Sequence, residues 1–237
     1  MKKFVKTSLF SALAAAAAAL APAAALTALP AAAAQSAQAG AEEAYANFTG
    51  AVKNNRADVV KKMLDQGYNP NVKMPNGDPA LVYAIRADND RVIPLLLKAK
   101  GIDVDKANAS GESALMVAAY KKNRTLVNEL LAKGAIVDRS SGWSPLHYAA
   151  AAGSPELVDL FLKKGANPNV RTKSGVTPLF MAARIANRAC IERLLKAGAR
   201  KDLCNDRGQS PADMVKANTT TLDTKLIDLL ATNKCAK

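Results

Sequence analysis

The sequence predicts an all-α solenoid, a stack of helix-turn-helix units joined by turn-bearing connectors, and three observations predict it. Glycines recur at Gly77, Gly111, Gly142, Gly175 and Gly208, at intervals of 34, 31, 33 and 33 residues. A period of that length marks a stacked repeat. Inside each period two bulky apolar residues keep a fixed distance: Phe48 to Leu64, Leu81 to Leu97, Leu115 to Leu131, Leu146 to Leu162 and Leu179 to Leu195 are each 16 residues. Between periods the distance drifts, through 17, 18, 15, 17 and 17, so a rigid element alternates with a tolerant connector.

Sixteen residues in one helix would form a rod of about 24 Å. Turn signals break that rod midway: Gly153-Ser154-Pro155 in one unit, Asn54-Asn55-Arg56 and Asp88-Asn89-Asp90 in others. Each unit is therefore two short helices and a tight turn. The first helix is narrow and Ala-rich, as in Ala149 to Ala152; the second is bulky on one side, as in Leu157, Val158, Phe161 and Leu162. Helices this short are unstable alone and must stack on neighbours.

Taken in chain order, residues 1–39 read as an address. Lys2, Lys3 and Lys6 form a basic start, Leu9 to Leu29 is almost wholly apolar, and 18 alanines fall in the first 40 residues. This is the layout of a secretory signal peptide. Small-x-small exits place cleavage after Ala34 or after Ala39. The apolar run is long enough to span a bilayer, but alanine is weakly hydrophobic, and Pro22 and Pro30 interrupt it. Cleavage is favoured over a retained anchor, and no stable membrane insertion is expected afterwards. No cysteine follows the run and no twin arginine precedes it, so neither a lipid anchor nor export of an already folded chain is indicated. The expected location is the periplasm of a Gram-negative cell, or the exterior.

Six units follow. They span 44–73, 74–106, 107–138, 139–170, 171–203 and 204–237. The first lacks the glycine turn, as an N-terminal cap should. The middle four carry a Pro/Ala-Leu step after the turn: Ala80-Leu81, Ala114-Leu115, Pro145-Leu146 and Pro178-Leu179. The last keeps Ser210-Pro211-Ala212, but its inner interval, Ala212 to Leu230, is 18 residues. Asn218-Thr219-Thr220-Thr221 is the expected insertion, and an atypical terminal unit is what a solenoid needs.

The residues of the fourth unit carry a family resemblance. Ser144-Pro145-Leu146-His147-Tyr148-Ala149-Ala150-Ala151-Ala152-Gly153 resembles the ankyrin signature T-P-L-H-x-A-A-x-x-G, and Leu157 through Asn169 resembles its second helix and return. Thr177-Pro178-Leu179-Phe180-Met181-Ala182-Ala183 is similar. Asn71, Asp105, Asp138, Asn169 and Asp202 stand near the asparagine slot of that family's connector. The resemblance covers about residues 43 to 231. It implies an ankyrin-repeat solenoid with β-turn finger connectors, and it departs from the signature where Asp213 replaces the histidine.

Composition narrows the function. The chain has 237 residues, 33 basic and 20 acidic, with one histidine and three cysteines. Beyond residue 40 the balance is 30 basic to 20 acidic, a net charge of +10. A single histidine excludes a multi-His metal site and leaves little for acid–base catalysis near neutral pH. The resemblance gives His147 a structural role between neighbouring turns, and Ser144 caps its helix. The glycines recur at the repeat period and form no phosphate loop. No enzyme, cofactor or metal site is expected. Nucleic acid is a poor fit for an exported chain with no aromatic-interleaved basic motif.

What remains is protein binding. Arg86, Lys121, Lys122, Arg124, Arg184 and Arg188 sit at the ends of first helices or in the turns after them, positions that line up along the concave side of an ankyrin stack. A positive strip there would steer an acidic protein partner; a merely solvated surface is the equal alternative. Trp143 follows Gly142 in the shortest connector and is expected to be partly exposed. It is either an anchor of the binding face with Lys121 and Lys122 as its rim, or a ring folded back onto the neighbouring turn. The expected function is a monomeric, non-catalytic scaffold or accessory protein that binds an envelope partner through turn tips and concave face. A secreted effector that engages host proteins and an enzyme inhibitor are the alternatives.

The resemblance also sorts the cysteines. Cys204 lies in the connector before the last unit, and Cys235 follows the last helix, which in a helical hairpin returns to the connector side. Cys190 falls in a slot where the family places a buried aliphatic. A Cys204–Cys235 disulfide with Cys190 as a free core thiol is expected in an oxidising compartment, and three reduced cysteines are the alternative.

Overall fold

The computed structural model describes residues 31–138, 142–217, 223–232 and 235. Residues 1–30 of the signal peptide expected over 1–39, and the insertion expected at Asn218 to Thr221, lie outside the described residues. Among the described residues there are twelve helices and no strand, only an isolated bridge between Lys73 and Pro79. The chain divides into two compact units, Met1–Asp103 and Val104–Lys237.

In the first unit, α1 (Ala31–Lys53) pairs with α2 (Ala57–Asp65), and α3 (Ala80–Arg86) pairs with α4 (Ile93–Lys98). The alanine run that begins α1 is strongly helix-favouring, and the helix passes through both expected cleavage positions. Its side chains join the core only from Phe48 onward; Gln35 to Asn47 are exposed or half-exposed. Phe48 stacks on Tyr68 with ring centroids 4.7 Å apart. Val52, Val60, Leu81, Ile85 and Leu96 complete this core. Buried Asn89 donates its Nδ2–H to the Val52 carbonyl at 2.6 Å. The same carbonyl also accepts from the Asn55 N–H at 3.2 Å, so the side chain of Asn89 ties the turn after α3 to the end of α1.

In the second unit, four pairs stack in order: α5 (Ala114–Tyr120) with α6 (Arg124–Ala132), α7 (Pro145–Ala152) with α8 (Pro155–Lys163), α9 (Pro178–Arg184) with α10 (Arg188–Lys196), and α11 (Pro211–Ala217) with α12 (Thr224–Leu230). The first helices pack on one another in the row α5, α7, α9, α11. Ala118, Ala119, Ala149, Ala150, Ala182 and Ala183 are fully buried between them, and side chains this small let the helices approach closely. The second helices contribute the bulk, with Leu130, Leu157, Phe161, Ile191 and Leu194 at or near zero exposure.

Capping explains where these helices start. Asn123, Thr177, Asn187 and Asp223 each accept from the backbone N–H three residues on, satisfying one of the orphan amides of a helix start. Proline opens α7, α8 and α9, where its missing N–H costs nothing. Connectors are tied to their neighbours through the acidic-or-amide slot. Asn71 donates to the Gly101 carbonyl at 2.7 Å, the Ile136 N–H donates to Asp105 at 2.9 Å, the Asn167 N–H to Asp138 at 3.1 Å, and Asn169 donates to Gly198 at 2.9 Å. Asp202, last in the series, instead takes two bonds from Arg200 at 3.0 and 2.7 Å.

The terminal pair carries a disulfide between Cys204 and Cys235, with Cα atoms 5.4 Å apart. Cys190 is a free thiol, buried on α10. Burial pushes its pKa up to about 11, which keeps it protonated and inert.

Candidate functional site

His147 is where the local order of the site originates. It lies at the third position of α7 and is fully buried. The Ser144 N–H donates to its Nδ1 at 3.2 Å, the Ser144 hydroxyl lies 2.9 Å from the same atom, and its Nε2 meets the Val176 carbonyl at 3.1 Å. A nitrogen that accepts from a backbone amide carries no proton, so Nε2 holds the hydrogen and donates it to Val176. Desolvation lowers the imidazole pKa to about 4, against the opposing bond to Val176. The ring is neutral, with both nitrogens engaged in structure.

Trp143 rests on this fixed base. Its ring stands edge-to-face on His147 at 5.3 Å and on Tyr148 at 5.9 Å. Tyr148 in turn stands edge-to-face with Tyr120 at 6.3 Å. These are the offset and T-shaped geometries that aromatic quadrupoles prefer. The Tyr148 hydroxyl donates to Glu112 at 2.6 Å, and Asn108 donates to the other Glu112 oxygen at 2.9 Å. Tyr120 has no such tether and is 58 % exposed.

Together these side chains line a groove of about 220 Å3 bounded by Tyr120, Trp143, His147, Tyr148, Ala151, Met181 and Arg184. Two columns of the repeat register build it. Tyr148 and Met181 each stand two residues after the unit's leucine; Tyr120, Ala151 and Arg184 each stand five after it. Ala151 is the small member of the second column, flanked by Tyr120 on α5 and Arg184 on α9. The groove is the volume its missing side chain leaves.

The expected binding residues scatter relative to this groove. Trp143 is half-buried and Arg184 exposed, and both line it. Lys121 and Lys122 are not among its lining residues. Lys121 caps α5, and Lys122 is exposed at a left-handed φ of 57°, where the backbone swings away toward α6. Tyr120 and Arg184 thus hold the rim where the two lysines were expected. Arg124 is exposed at the start of α6. Arg188 is bound to Asp223 at 3.0 Å and to Glu192 at 3.5 Å, bracing α10 against the start of α12. Arg86 lies in the first unit, where its Nε donates to Asp78 at 3.2 Å.

Sequence reasoning missed Tyr120, Tyr148 and Met181. The signal was present, since reading the repeats in columns puts them beside Ala151 and Arg184.

Among the described residues no group of three metal-binding side chains converges, and no helix is long and apolar enough to cross a membrane.

Comparison with known proteins agrees with the helix pairs. The family model for ankyrin repeats (3 copies) matches residues 48–141 and 122–205. The chain is 35% identical over 130 residues to a putative ankyrin repeat-containing protein of Treponema pallidum, covering 54% of this chain and 43% of that one. It is 34% identical over 117 residues to transient receptor potential cation channel subfamily A member 1 of Homo sapiens, covering 48% of this chain and 10% of the channel. It is 33% identical over 123 residues to human neurogenic locus notch homolog protein 2, covering 51% of this chain and 5% of that protein. The chain therefore spans less than half the length of each of these relatives.

Proposed function

The chain belongs to the ankyrin-repeat family, whose repeats are generally protein–protein interaction modules, and on that premise we propose that it is an exported, non-catalytic scaffold or accessory protein that docks on a protein of the cell envelope. The stacked helix pairs are rigid, so contacts made by their tips and first helices lose little conformational entropy on binding. The observation that carries the reading is the aromatic groove. Trp143 is held in place by His147 and Tyr148, yet stays half-exposed beside an untethered Tyr120. Pre-positioned aromatics of this kind dominate binding energy at interfaces.

A non-catalytic role is supported by the fate of the sole histidine, which is buried, neutral and bonded through both nitrogens. A group in that state neither exchanges protons near pH 7 nor reaches a substrate. Export is supported by the basic–apolar–small layout of residues 1–39 and suits the Cys204–Cys235 disulfide.

The test is cross-linking in intact cells, followed by fractionation and identification of the linked protein. An envelope protein captured by the wild type and lost in Trp143→Ala, at unchanged unfolding temperature, is the expected result. Recovery of the protein only outside the cell, linked to host proteins, would favour the secreted-effector reading instead. Retained capture together with a lowered unfolding temperature would make Trp143 a packing residue.

A further inference from the structure

We propose that the groove between α5, α7 and α9 takes an acidic segment of the partner protein, seating one apolar side chain of that segment over Ala151 and its flanking carboxylates against Arg184 and the donors of the rim. The proposal rests on the protein-binding reading above and assigns the class of ligand to it.

Shape is the first argument. At about 220 Å3, the groove is smaller than the roughly 300–1,000 Å3 of small-molecule and cofactor sites. It suits a single large side chain. Five of its seven lining residues are Ala151, Tyr120, Trp143, Tyr148 and Met181, so the lining is mainly apolar and aromatic and suits an apolar anchor.

Polar groups at the groove supply the second argument, because they are donors. Among the described residues, neither the Trp143 indole N–H nor the Tyr120 hydroxyl has a hydrogen-bond partner. Arg184, which already makes an interaction of its own, adds a guanidinium with five N–H donors. The carboxylate nearby, Glu112, already accepts from Tyr148 and Asn108. His147 is neutral and turned to Val176. A ligand that matches this edge brings acceptors, and carboxylates are the strongest of them.

Charge is the third argument. The unit that holds the groove, Val104–Lys237, has 21 basic and 12 acidic residues, whereas residues 40–103 have 9 and 8. The positive field is therefore concentrated on the unit with the groove, where it steers an acidic chain inward. A cation stacked on the aromatic faces is the chemical opposite, and both Arg184 and this field oppose it.

Trp143 is the single tryptophan of the chain, so its fluorescence reads the groove directly. The mature full-length protein is titrated with a synthetic peptide bearing one central phenylalanine flanked by glutamates. Two control peptides replace the glutamates by lysines, or the phenylalanine by serine. A saturable emission change with the acidic peptide alone, weakened by added salt, is expected. Tyr120→Ala and Arg184→Glu alter exposed side chains, and Ala151→Leu puts a larger side chain into the groove. Each should weaken binding about tenfold or more while the unfolding temperature holds. The proposal is overturned by an acidic peptide that gives no saturable change, by a lysine peptide that binds as well, or by variants that bind like the wild type. The in-cell cross-linking separates the two levels. Partner capture that survives Tyr120→Ala and Arg184→Glu sinks the groove but leaves the binding module standing. Absence of any captured partner sinks the module itself.

Discussion

Between the two helices of each of the first five units one backbone position is left-handed, and its occupants bear that conformation unequally. Asn55, Asp88, Lys122 and Ala186 hold φ values of 52°, 55°, 57° and 49°, and Gly153 holds 66°. Asn and Asp tolerate this region; for other L-residues it costs roughly 1–2 kcal/mol. Ala186→Gly is therefore expected to raise stability by about 0.5 kcal/mol or more. Gly153→Ala goes the other way, because a Cβ there would lie 2.9 Å from the Asn187 Nδ2 and 3.0 Å from the Ile185 Cδ1. Asn187 caps α10, so a loss above about 1 kcal/mol is expected. Denaturant midpoints for the two variants should move in opposite directions. A similar contrast marks the capping slot. Ser144 is satisfied by His147 and Ser210 by Asp213, whereas Ser113 has Met116 at the matching position in sequence and its hydroxyl has no partner. Ser113→Ala should be neutral or mildly stabilising, and Ser144→Ala should cost about 1 kcal/mol.

His147 also sets a pH dependence. Its pKa falls from 6.5 to about 4 on folding, so between these values the unfolded chain binds the extra proton. The histidine's contribution is complete above about pH 6.5 and is lost as pH falls toward 4. The loss amounts to roughly 3 kcal/mol. In His147→Gln, which retains a capping-box residue type, unfolding free energy should vary less over that range. An unchanged slope would mean that carboxylates, not His147, govern the acid limb.

At the scale of elements, the last helix pair packs on α9 through α11, and a disulfide adds a covalent tie. Cys204 is buried in the connector before α11, while Cys235 follows α12 at a sequence separation of 31. Closing a loop of that length stabilises by roughly 3–4 kcal/mol in the chain-entropy model. Reduction is therefore expected to raise amide exchange in α11 and α12 well before it does so in α7 or α9. Peptide mapping without reduction should recover a Cys204–Cys235 link, and Cys190 should resist alkylation until the protein unfolds. Arg188 belongs to the same bracing. Its pairing with Asp223 is exposed, so its contribution is small and salt-sensitive.

Across the whole molecule, charge and export act together. The basic residues of the leader are confined to Lys2, Lys3 and Lys6, and the core of the first unit begins at Phe48. A chain that starts at Gln35 or Gly40 loses only exposed or half-exposed side chains of α1 among those described. Intact mass of the exported protein is expected to match one of these starts, with stability equal to that of the uncut chain. A product that keeps Lys2 to Lys6 and sediments with membranes would instead establish a retained anchor.

The repeat period, the 16-residue interval and the Gly and Pro punctuation determined the helix pairs, because hydrophobic spacing and turn chemistry are local properties written residue by residue. His147 as a structural residue was legible through the resemblance of Ser144 to Gly153 to the ankyrin signature, which gives this histidine a bonding role between neighbouring turns. The site was legible only in part. Trp143 and Arg184 stood out by type, but Tyr120, Tyr148 and Met181 acquire meaning only when α5, α7 and α9 lie side by side and the short side chain of Ala151 opens a gap between them. Likewise Arg188 looks like a free cation in sequence. Tertiary structure decided otherwise, by an Asp223 that reaches it from 35 residues away. Periodicity specifies which residues share a column; only packing decides which columns meet and what the smallest member leaves open.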